Sequence, residues 1–141
     1  MAQMNRAQLD AFLIDRDHLM KLATLTPDDA PYVNPIWYDY DGTTFLIAGR
    51  RKARWVENIA VNPQVSFCID TCNPPYSRVI VEGTAVIEDP AWLGKWEHWA
   101  IRYLGETAGH NYYEDTKATP RALIRINPEV ITSWAGPGWH A

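Results

Sequence analysis

The sequence has few residues able to form cross-links or hold a metal, with 2 cysteines and 4 histidines among 141 residues. Cys68 and Cys72 cannot complete a tetrahedral zinc site without suitably placed histidines. The histidines, however, show neither the H-x-x-x-H nor the H-E-x-x-H spacing. We therefore expect reduced, structural thiols and no metal site. The histidines are His18, His98, His110 and His140.

Net positive charge and long apolar runs are also missing. With 17 acidic and 13 basic residues, the chain has a net charge of -4, and its field repels polyanions such as nucleic acids. No uncharged apolar run approaches the roughly 18 residues of a membrane span, and the N-terminal segment has no signal-like apolar stretch. We expect a cytoplasmic protein with no nucleic-acid or membrane partner. Without repeats or linkers, residues 1–141 are predicted to form one domain.

What the sequence does contain is a series of short segments rich in β-branched and aromatic residues. Turn-forming residues separate them, and Asp41-Gly42 is typical of a tight type I′ hairpin. Gly83 indicates a β-bulge. The pattern predicts six strands and a candidate seventh, which cover residues 18–26, 32–40, 43–48, 65–69, 78–87, 121–126 and 130–134.

Helical patterns are fewer. We expect helices over residues 5–14 and 90–104, and a short one that ends at Asn62-Pro63 with Val56 and Ile59 facing inward. Residues 105–115 are predicted to form a mobile loop that closes over a ligand. Since closure removes exposed strand edges, the prediction is a mainly β protein with short helices, an antiparallel barrel of six to seven strands.

The third predicted strand runs into a dense basic segment, AGRRKARWVENIAVNP at residues 48–63. The positive end of a helix dipole and unsatisfied backbone N–H groups favour an anion at that position. Arginine side chains also match phosphate oxygens two at a time. The segment therefore predicts a site for one terminal phosphate, although no glycine-rich phosphate loop accompanies it. Its cations are Arg50, Arg51, Lys52 and Arg54.

The order of these segments resembles the pyridoxamine 5′-phosphate oxidase-related flavoproteins, a family of FMN-binding split β-barrels. The resemblance covers about residues 19–87, through KLATLTPDDAPYVNPIWYDYDGTTFLIAGRRKARWVENIAVNPQVSF and RVIVEGTAVIED. It includes the family's N-x-x-x-N-P-x-V-S pattern, from Asn58 to Ser66. The closing PEVITSWAGPGWH is similar to the family's last strand and tail.

The resemblance implies FMN at a homodimer interface, with the flavin ring against the second and third strands and the phosphate on the basic segment. Small residues at Ala48 and Gly49 would let the ring approach. The residues implied to bind the cofactor are Asn34, Pro35, Ile36, Trp37, Ile47, Ala48, Gly49, Arg50, Arg51, Lys52, Arg54 and Trp55. Trp55 marks a departure, because it stands where the oxidase has a lysine unless the register slips and Lys52 serves.

The function implied is an FMN-dependent oxidoreductase that acts on a small organic substrate. The flavin would supply the hydride chemistry, so no catalytic side chain is assigned. Two alternatives stay open: an F420-dependent reductase of the same fold, and a non-catalytic flavin- or haem-binding module. The acidic tail of F420 would need extra cations, for which Arg16, Lys21 and Arg78 are candidates.

A stripe of large aromatic residues in the predicted helix 90–104 has two interpretations. It either packs in the core or at the dimer interface, or forms a wall of the substrate pocket. In the tail, Trp134 and Trp139 are expected to pack or to reach the partner's cofactor. The stripe consists of Trp92, Trp96, Trp99 and Tyr103.

Overall fold

The computed structural model describes residues 3–15 and 18–136. Arg16, Trp139 and His140 lie outside these residues. The helices are α1 (Arg6–Ile14), α2 (Arg54–Val61), α3 (Glu97–Leu104) and α4 (Glu106–Thr116). The strands are β1 (Met20–Leu25), β2 (Pro31–Ile36), β3 (Asp39–Tyr40), β4 (Phe45–Arg50), β5 (Gln64–Asp70), β6 (Arg78–Trp92) and β7 (Arg121–Trp134).

All seven strands form one antiparallel sheet in the order β2-β1-β5-β6-β7-β4-β3. The two edge strands, β2 and β3, are consecutive in the chain. Strands and short helices in these proportions confirm the prediction of a mainly β fold with six to seven antiparallel strands. None of the helices in the described part of the chain has the length and apolar character of a membrane span.

Strands β4 and β7 bury residues on both faces, because alternate side chains point to opposite sides of a sheet. Phe45 and Ile47 of β4 belong to the main core, inside the barrel. Leu46 and Ala48 point the other way and pack, with Leu123 of β7, against a second cluster. That second cluster centres on buried Trp96, Trp99 and Ala100. The sheet therefore separates the main core from an aromatic layer built by the helical segment.

The predicted helix over residues 90–104 is wrong in its first half. Strand β6 continues through Trp92, and α3 begins only at Glu97. Trp96 caps the helix, so only Trp99 and Tyr103 of the aromatic stripe lie within it. The three tryptophans of the stripe nevertheless share one cluster, in which Trp92 packs against Trp99 with ring centroids 5.8 Å apart.

The predicted loop over residues 105–115 is instead helix α4. Gly105, at a φ of 89°, turns the chain between α3 and α4, and few other residues adopt that conformation easily. At Gly109 the two helices approach so closely that a Cβ atom would lie 2.6 Å from Ile101 Cα. Local composition suggested a loop here, but tight packing on α3 stabilises a helix.

The last two predicted strands form the single strand β7. Asn127-Pro128 does not interrupt it, because the pairing with β6 absorbs an irregularity there. Glu82 pairs with Val130 and Gly83 with Pro128, which leaves Glu129 as the extra residue of a bulge. A bulge at Gly83 is therefore confirmed, and its extra residue lies on β7, the strand that pairs with β6 there.

The hairpin at Asp41-Gly42 is present but is not of type I′. Gly42 has a positive φ of 93°, whereas Asp41 is not among the described residues with positive φ. The Asp41 carboxylate instead accepts hydrogen bonds from the backbone N–H groups of Thr43 (2.8 Å) and Thr44 (2.6 Å). These bonds lower the pKa of Asp41 to about 2. A side chain, rather than the backbone alone, therefore closes this turn.

The predicted second strand is divided. Trp37 and Tyr38 leave the sheet between β2 and β3, and this bend carries the chain from one sheet edge to the other. The short helix predicted before Asn62-Pro63 is confirmed as α2, with Val56 and Ile59 buried as expected. Cys68 is half-buried and Cys72 exposed, and both are free thiols.

Candidate functional site

A cleft of about 310 Å³ lies between the bend after β2, strand β4 and the aromatic layer. Its volume is at the lower end of the range typical of small-molecule sites. We call it the aromatic cleft. Its lining residues are Pro35, Ile36, Trp37, Ala48, Gly49, Arg50, Ala53, Trp55, Trp96, Trp99, Tyr112 and Arg121.

One end of the aromatic cleft is cationic. Arg50, the last residue of β4, lies directly opposite Arg121, the first residue of β7. Arg121 is only 7% exposed, and its guanidinium lies 4.2 Å from the centre of the Trp96 ring. It also donates a hydrogen bond to the Thr116 hydroxyl at 3.2 Å. Two like charges thus meet on paired strands, an arrangement that is destabilising unless an anion or solvent screens it.

Helix α2 begins beside these arginines. Its N-cap residue, Ala53, lines the aromatic cleft and has no side chain that could accept from the first N–H groups of the helix. Those groups and the helix dipole favour an anion. The Ala53 N–H itself donates to Arg50 O at 2.9 Å, which holds the helix start against the end of β4.

The other end of the aromatic cleft is built from flat rings. Trp37 stacks on Tyr103, with centroids 5.1 Å apart and planes within 5° of parallel. Tyr112 of α4 meets Trp37 edge-on at 5.8 Å and Trp96 edge-on at 5.7 Å. The rings hold one another in place, so this wall offers planar apolar surface at little cost in side-chain entropy.

Asp39 positions the α3 side of this wall. Its carboxylate accepts from Trp99 Nε1 at 3.2 Å and from Arg102 Nη2 at 3.0 Å. Arg102 Nη1 also donates to Tyr38 O at 2.8 Å. The bend after β2 and helix α3 are thereby joined by charge-assisted bonds, stronger than neutral ones.

Two tyrosines behind Trp37 remain protonated at neutral pH. Burial raises the pKa of both Tyr38 and Tyr103. The Tyr38 hydroxyl donates to Leu13 O at 2.7 Å, and the Tyr103 hydroxyl to His18 O at 2.9 Å. The Tyr38 N–H donates in turn to the Tyr103 oxygen at 3.2 Å. These bonds give both phenols a structural role in fixing the bend.

Most of the cofactor-binding residues predicted from the sequence come together here. Pro35, Ile36, Trp37, Ala48, Gly49, Arg50 and Trp55 line the aromatic cleft, whereas Asn34, Ile47, Arg51, Lys52 and Arg54 do not.

Two of the residues that do not line the cleft, Ile47 and Asn34, lie on strands. Ile47 is fully buried in the main core. Asn34 lies opposite Leu22 of β1, and its Oδ1 atom is buried without a hydrogen-bond partner among the described residues. Neither side chain contributes to the cleft wall.

The basic segment divides in the same way. Arg51 and Lys52 are exposed in the turn between β4 and α2. Arg54, also exposed, lies over the Tyr32 ring at 4.9 Å from its centroid. Of the four cations of the basic segment, only Arg50 lines the aromatic cleft. The charge cluster seen in the sequence is therefore spread over different surfaces.

Gly49 makes room for a protein side chain. A Cβ atom there would lie 2.2 Å from Trp55 Cζ2, so the indole of Trp55 occupies the space. Trp55 is 8% exposed and part of the main core, yet it also lines the cleft. The residue that departs from the oxidase pattern therefore forms part of the cleft floor.

Sequence reasoning missed Ala53 and Arg121. Trp96 and Trp99 belong to the stripe interpreted as core or interface packing or as a pocket wall, and Tyr112 lies in the segment predicted to be a closing loop. The only local signal for Arg121 is a charged residue at the first position of an apolar strand, directly after Pro120. No sequence spacing relates Arg121 to Arg50.

A cluster of titratable side chains lies outside the aromatic cleft. Glu97, His110 and Glu114 each contribute one potential metal-ligand atom, and these atoms lie within 4.8 Å of one another. These side chains already bond to charged neighbours: His110 Nδ1 lies 3.0 Å from Glu97 Oε1, and Glu114 accepts from Lys117 at 2.7 Å. The hydrogen bond to Glu97 raises the pKa of His110. The group is a surface ion-pair network that joins α3 to α4.

Comparison with protein families gives a match to pyridoxamine 5′-phosphate oxidase over residues 6–135. The chain belongs to this family. Its members are flavin-binding split barrels, which agrees with the fold and confirms the resemblance inferred from the sequence. No functionally curated protein matches the sequence significantly.

Solved structures extend the comparison. Conserved hypothetical protein Rv2991 of Mycobacterium tuberculosis is 25% identical, with a TM-score of 0.74 over 94% of this chain and 85% of that one. An F420 reductase is 26% identical, with a TM-score of 0.65 over 84% of this chain and 92% of that one. The haem storage protein HutZ of Vibrio cholerae is 20% identical, with a TM-score of 0.67 over 92% and 95%. At that identity, HutZ shows the fold alone.

The residues of the aromatic cleft fit a flavin phosphate. A phosphate needs cations and N–H donors, which Arg50, Arg121 and the start of α2 provide. An isoalloxazine ring needs flat apolar surface, and Trp37, with Pro35 and Ile36 beside it, provides such a surface in the cleft.

Proposed function

We propose that this protein is an FMN-dependent oxidoreductase that binds the cofactor in the aromatic cleft. The observation that carries the proposal is that a split barrel of this family has a cleft lined by both cationic and aromatic residues. The phosphate would lie at the start of α2 beside Arg50. The flavin ring would lie against Pro35, Ile36 and Trp37, with Ala48 at its edge.

In this proposal FMN supplies hydride and electron transfer when bound. The chain's own residues bind, orient and exclude water. Trp37, Tyr112 and Trp96 restrict solvent access to the ring end. Asp39 holds Trp99 in its orientation through the indole N–H. The protonated hydroxyls of buried Tyr38 and half-buried Tyr103 keep the bend that carries Trp37 rigid.

We further propose that the chain, one domain over residues 1–141, acts as a cytoplasmic homodimer on a small organic substrate. Exposed apolar residues on the outer sheet surface support an interface. Val33 of edge strand β2 is 62% exposed, Val86 of β6 is 48% exposed, and Val130 of β7 is 50% exposed. Sedimentation giving twice the chain mass is the expected result, and a monomer would contradict a shared site.

An F420-dependent reductase is the second candidate, supported by the F420 reductase at 26% identity. Two of the cations considered for the F420 tail are engaged elsewhere: Lys21 with Asp70, and Arg78 over the Trp134 ring at 3.1 Å from its centroid. Neither lines the aromatic cleft. Trp134 of β7 therefore packs against Arg78 of the neighbouring strand β6, in line with the packing interpretation.

A haem-binding role finds less support in the cleft. His18 stacks on Phe12 at 4.6 Å, His98 lies 3.6 Å from Asp39, and His110 pairs with Glu97. None of these histidines lines the aromatic cleft.

Purification from a host that lacks F420 tests these candidates. We expect a yellow protein that releases FMN on denaturation, identified by mass and absorbance. A colourless protein that binds only added F420 would replace the first candidate with the second. A haem spectrum with a Soret band would instead support the binding module.

A further inference from the structure

We infer that Arg121, together with Arg50, forms the anion site of the aromatic cleft. The remaining cations of the basic segment do not belong to it. The inference deepens the proposed function, since it rests on the same cleft and names the residues that hold the cofactor's phosphate. It concerns a residue from the far end of the chain, outside the basic segment.

The environment of Arg121 is the first observation. An arginine residue that is 7% exposed requires a partner for its charge, because burying an unpaired ion is costly. Its described contacts are neutral: the Thr116 hydroxyl at 3.2 Å, Thr119 O at 3.5 Å and the face of Trp96. No described carboxylate lies within ion-pair distance of it. Its charge therefore lacks an anionic partner within the described chain.

The pairing with Arg50 is the second observation. Directly opposed residues of antiparallel strands project to the same face, with Cβ atoms about 4.5–5.5 Å apart. Arg50 and Arg121 are opposed in this way, and both line the aromatic cleft. Like charges on directly opposed residues repel each other, but an anion between them turns repulsion into two charge-assisted contacts.

A nearby arginine shows what a balanced pair looks like. Arg125, on the same face of β7, bonds to Glu88 at 2.8 Å and to Asp41 at 3.1 Å. It lies opposite the neutral Leu46. Arg121 has the same strand and face, but it has no described carboxylate partner and the residue opposite it is another arginine. From this contrast we expect the anion that balances Arg121 to bind beside Arg50 in the cleft.

The stacking of Arg121 on Trp96 prepares it for a planar, bidentate contact. The ring at 4.2 Å and the bonds to residues 116 and 119 fix the guanidinium plane. A fixed fork loses less entropy when it binds phosphate oxygens. We therefore expect Arg121 to discriminate between ligands that carry the phosphate and ligands that lack it.

The test compares FMN with riboflavin, which differ only by the phosphate, on apoprotein by quenching of flavin fluorescence. In Arg121→Met we expect FMN affinity to fall about 10- to 100-fold, as for loss of one charge-assisted contact, with riboflavin affinity nearly unchanged. Arg121→Lys keeps the charge and should retain part of the FMN preference. The matched control is Arg54→Met, which removes a cation that stacks on Tyr32 and should leave the preference unchanged.

An equal loss of both flavins in Arg121→Met, or an unchanged preference for FMN, would overturn the inference. Circular dichroism checks that each variant folds, and Arg121→Lys keeps the test decisive if the methionine variant does not. A drop in preference in Arg54→Met as large as that in Arg121→Met would return the site to the basic segment.

Titration with inorganic phosphate separates this inference from the proposed function. In the wild-type apoprotein we expect phosphate to change tryptophan fluorescence, because Arg121 lies on Trp96. The change should be absent in Arg121→Met. If wild-type protein bound phosphate in this way but no flavin, the proposed function would fail and the anion site would stand. If the wild-type protein bound flavin but showed no phosphate response that depends on Arg121, the proposed function would stand and the anion site would fail.

Discussion

The aromatic cleft and a larger cavity elsewhere in the described chain differ in chemistry more than in size. The larger one, here called the polar groove, has a volume of about 520 Å³ against about 310 Å³ for the cleft. Its charged residues, Glu82 and Glu129, are both acidic, whereas those of the cleft, Arg50 and Arg121, are both basic. The polar groove is lined by Ala23, Thr24, Leu25, Pro31, Gln64, Val65, Ser66, Glu82, Gly83, Thr84, Glu129 and Val130.

The comparison shows why volume alone does not identify a cofactor site. The polar groove contains no aromatic ring to stack on a flavin and no cation for its phosphate. Its carboxylates would repel the phosphate. The aromatic cleft is smaller but provides both kinds of surface. Charge and ring geometry therefore decide between the two cavities.

The largest effect is expected from Gly49→Ala, because the new Cβ atom would lie 2.2 Å from Trp55 Cζ2 and displace the cleft floor. We expect a loss of about 1–3 kcal/mol in unfolding free energy, as for an overpacked core, together with loss of flavin retention. Urea denaturation and the flavin content of purified protein measure the two effects.

Gly83→Ala in the polar groove is the matched control, since its Cβ atom would lie 2.5 Å from Asn127 O. It should destabilise the fold but leave flavin bound to the folded protein. Adding Trp55→Phe to Gly49→Ala should recover part of the stability. Flavin loss in Gly83→Ala equal to that in Gly49→Ala would remove the distinction between the cavities.

Asp39→Ala should have the next largest effect. It leaves Arg102 and the Trp99 N–H without their shared acceptor, which costs about 1–3 kcal/mol for a buried group deprived of its partner. Trp99 would lose its fixed orientation, and we expect FMN affinity to fall about tenfold, the equivalent of 1.4 kcal/mol. Unfolding by urea and FMN titration provide the measurements.

Asp39→Asn is the informative companion, because an amide oxygen still accepts from Trp99 while the charge opposite Arg102 is lost. It should retain more FMN affinity than Asp39→Ala. If both variants bound FMN like the wild type, the cleft wall would not depend on Asp39.

Salt should weaken FMN binding by a smaller factor. Raising ionic strength from about 0.1 M to about 1 M shortens the Debye length from about 10 Å to about 3 Å. Because Arg50 is exposed at the mouth of the cleft, we expect FMN affinity to fall a fewfold. Riboflavin, without the phosphate, should bind equally well at both salt concentrations. Equal salt sensitivity of the two flavins would contradict a role for charge.

Neutralising the polar groove should have the smallest effect. Glu82→Gln with Glu129→Gln removes its negative charge and weakens the bond that Thr84 donates to Glu129. An exposed polar contact of this kind contributes about 1 kcal/mol or less, and the flavin affinity should be unchanged. Fluorescence titration checks this outcome. A marked change in flavin affinity would mean that the polar groove takes part in binding.

The strands and α2 were predictable because each has a local pattern. In β1 and β5 buried and partly buried positions alternate, the period of a strand with one face in the core. Helix α4 was not predictable in the same way. Its stability depends on Gly109 lying against α3, and its own sequence resembles a polar loop.

The candidate site was predictable to the extent that it follows the chain. Residues 35–37 and 48–50 are continuous stretches at the ends of strands, and all six residues that the resemblance named there line the aromatic cleft. Arg54 does not line the cleft although it directly precedes Trp55 in α2, because Trp55 turns inward while Arg54 faces Tyr32. Helical geometry sends adjacent side chains in different directions.

The sequence by itself determined the β-rich composition, the order of the elements, the family and a concentration of cations after β4. Those properties depend on neighbours in the chain. Only the tertiary structure decided which cation meets the cleft. The pairing of β4 with β7 brings Arg121 opposite Arg50, and the aromatic layer buries it. Strand register is a long-range property, set by packing of the whole sheet, so no local pattern contains it.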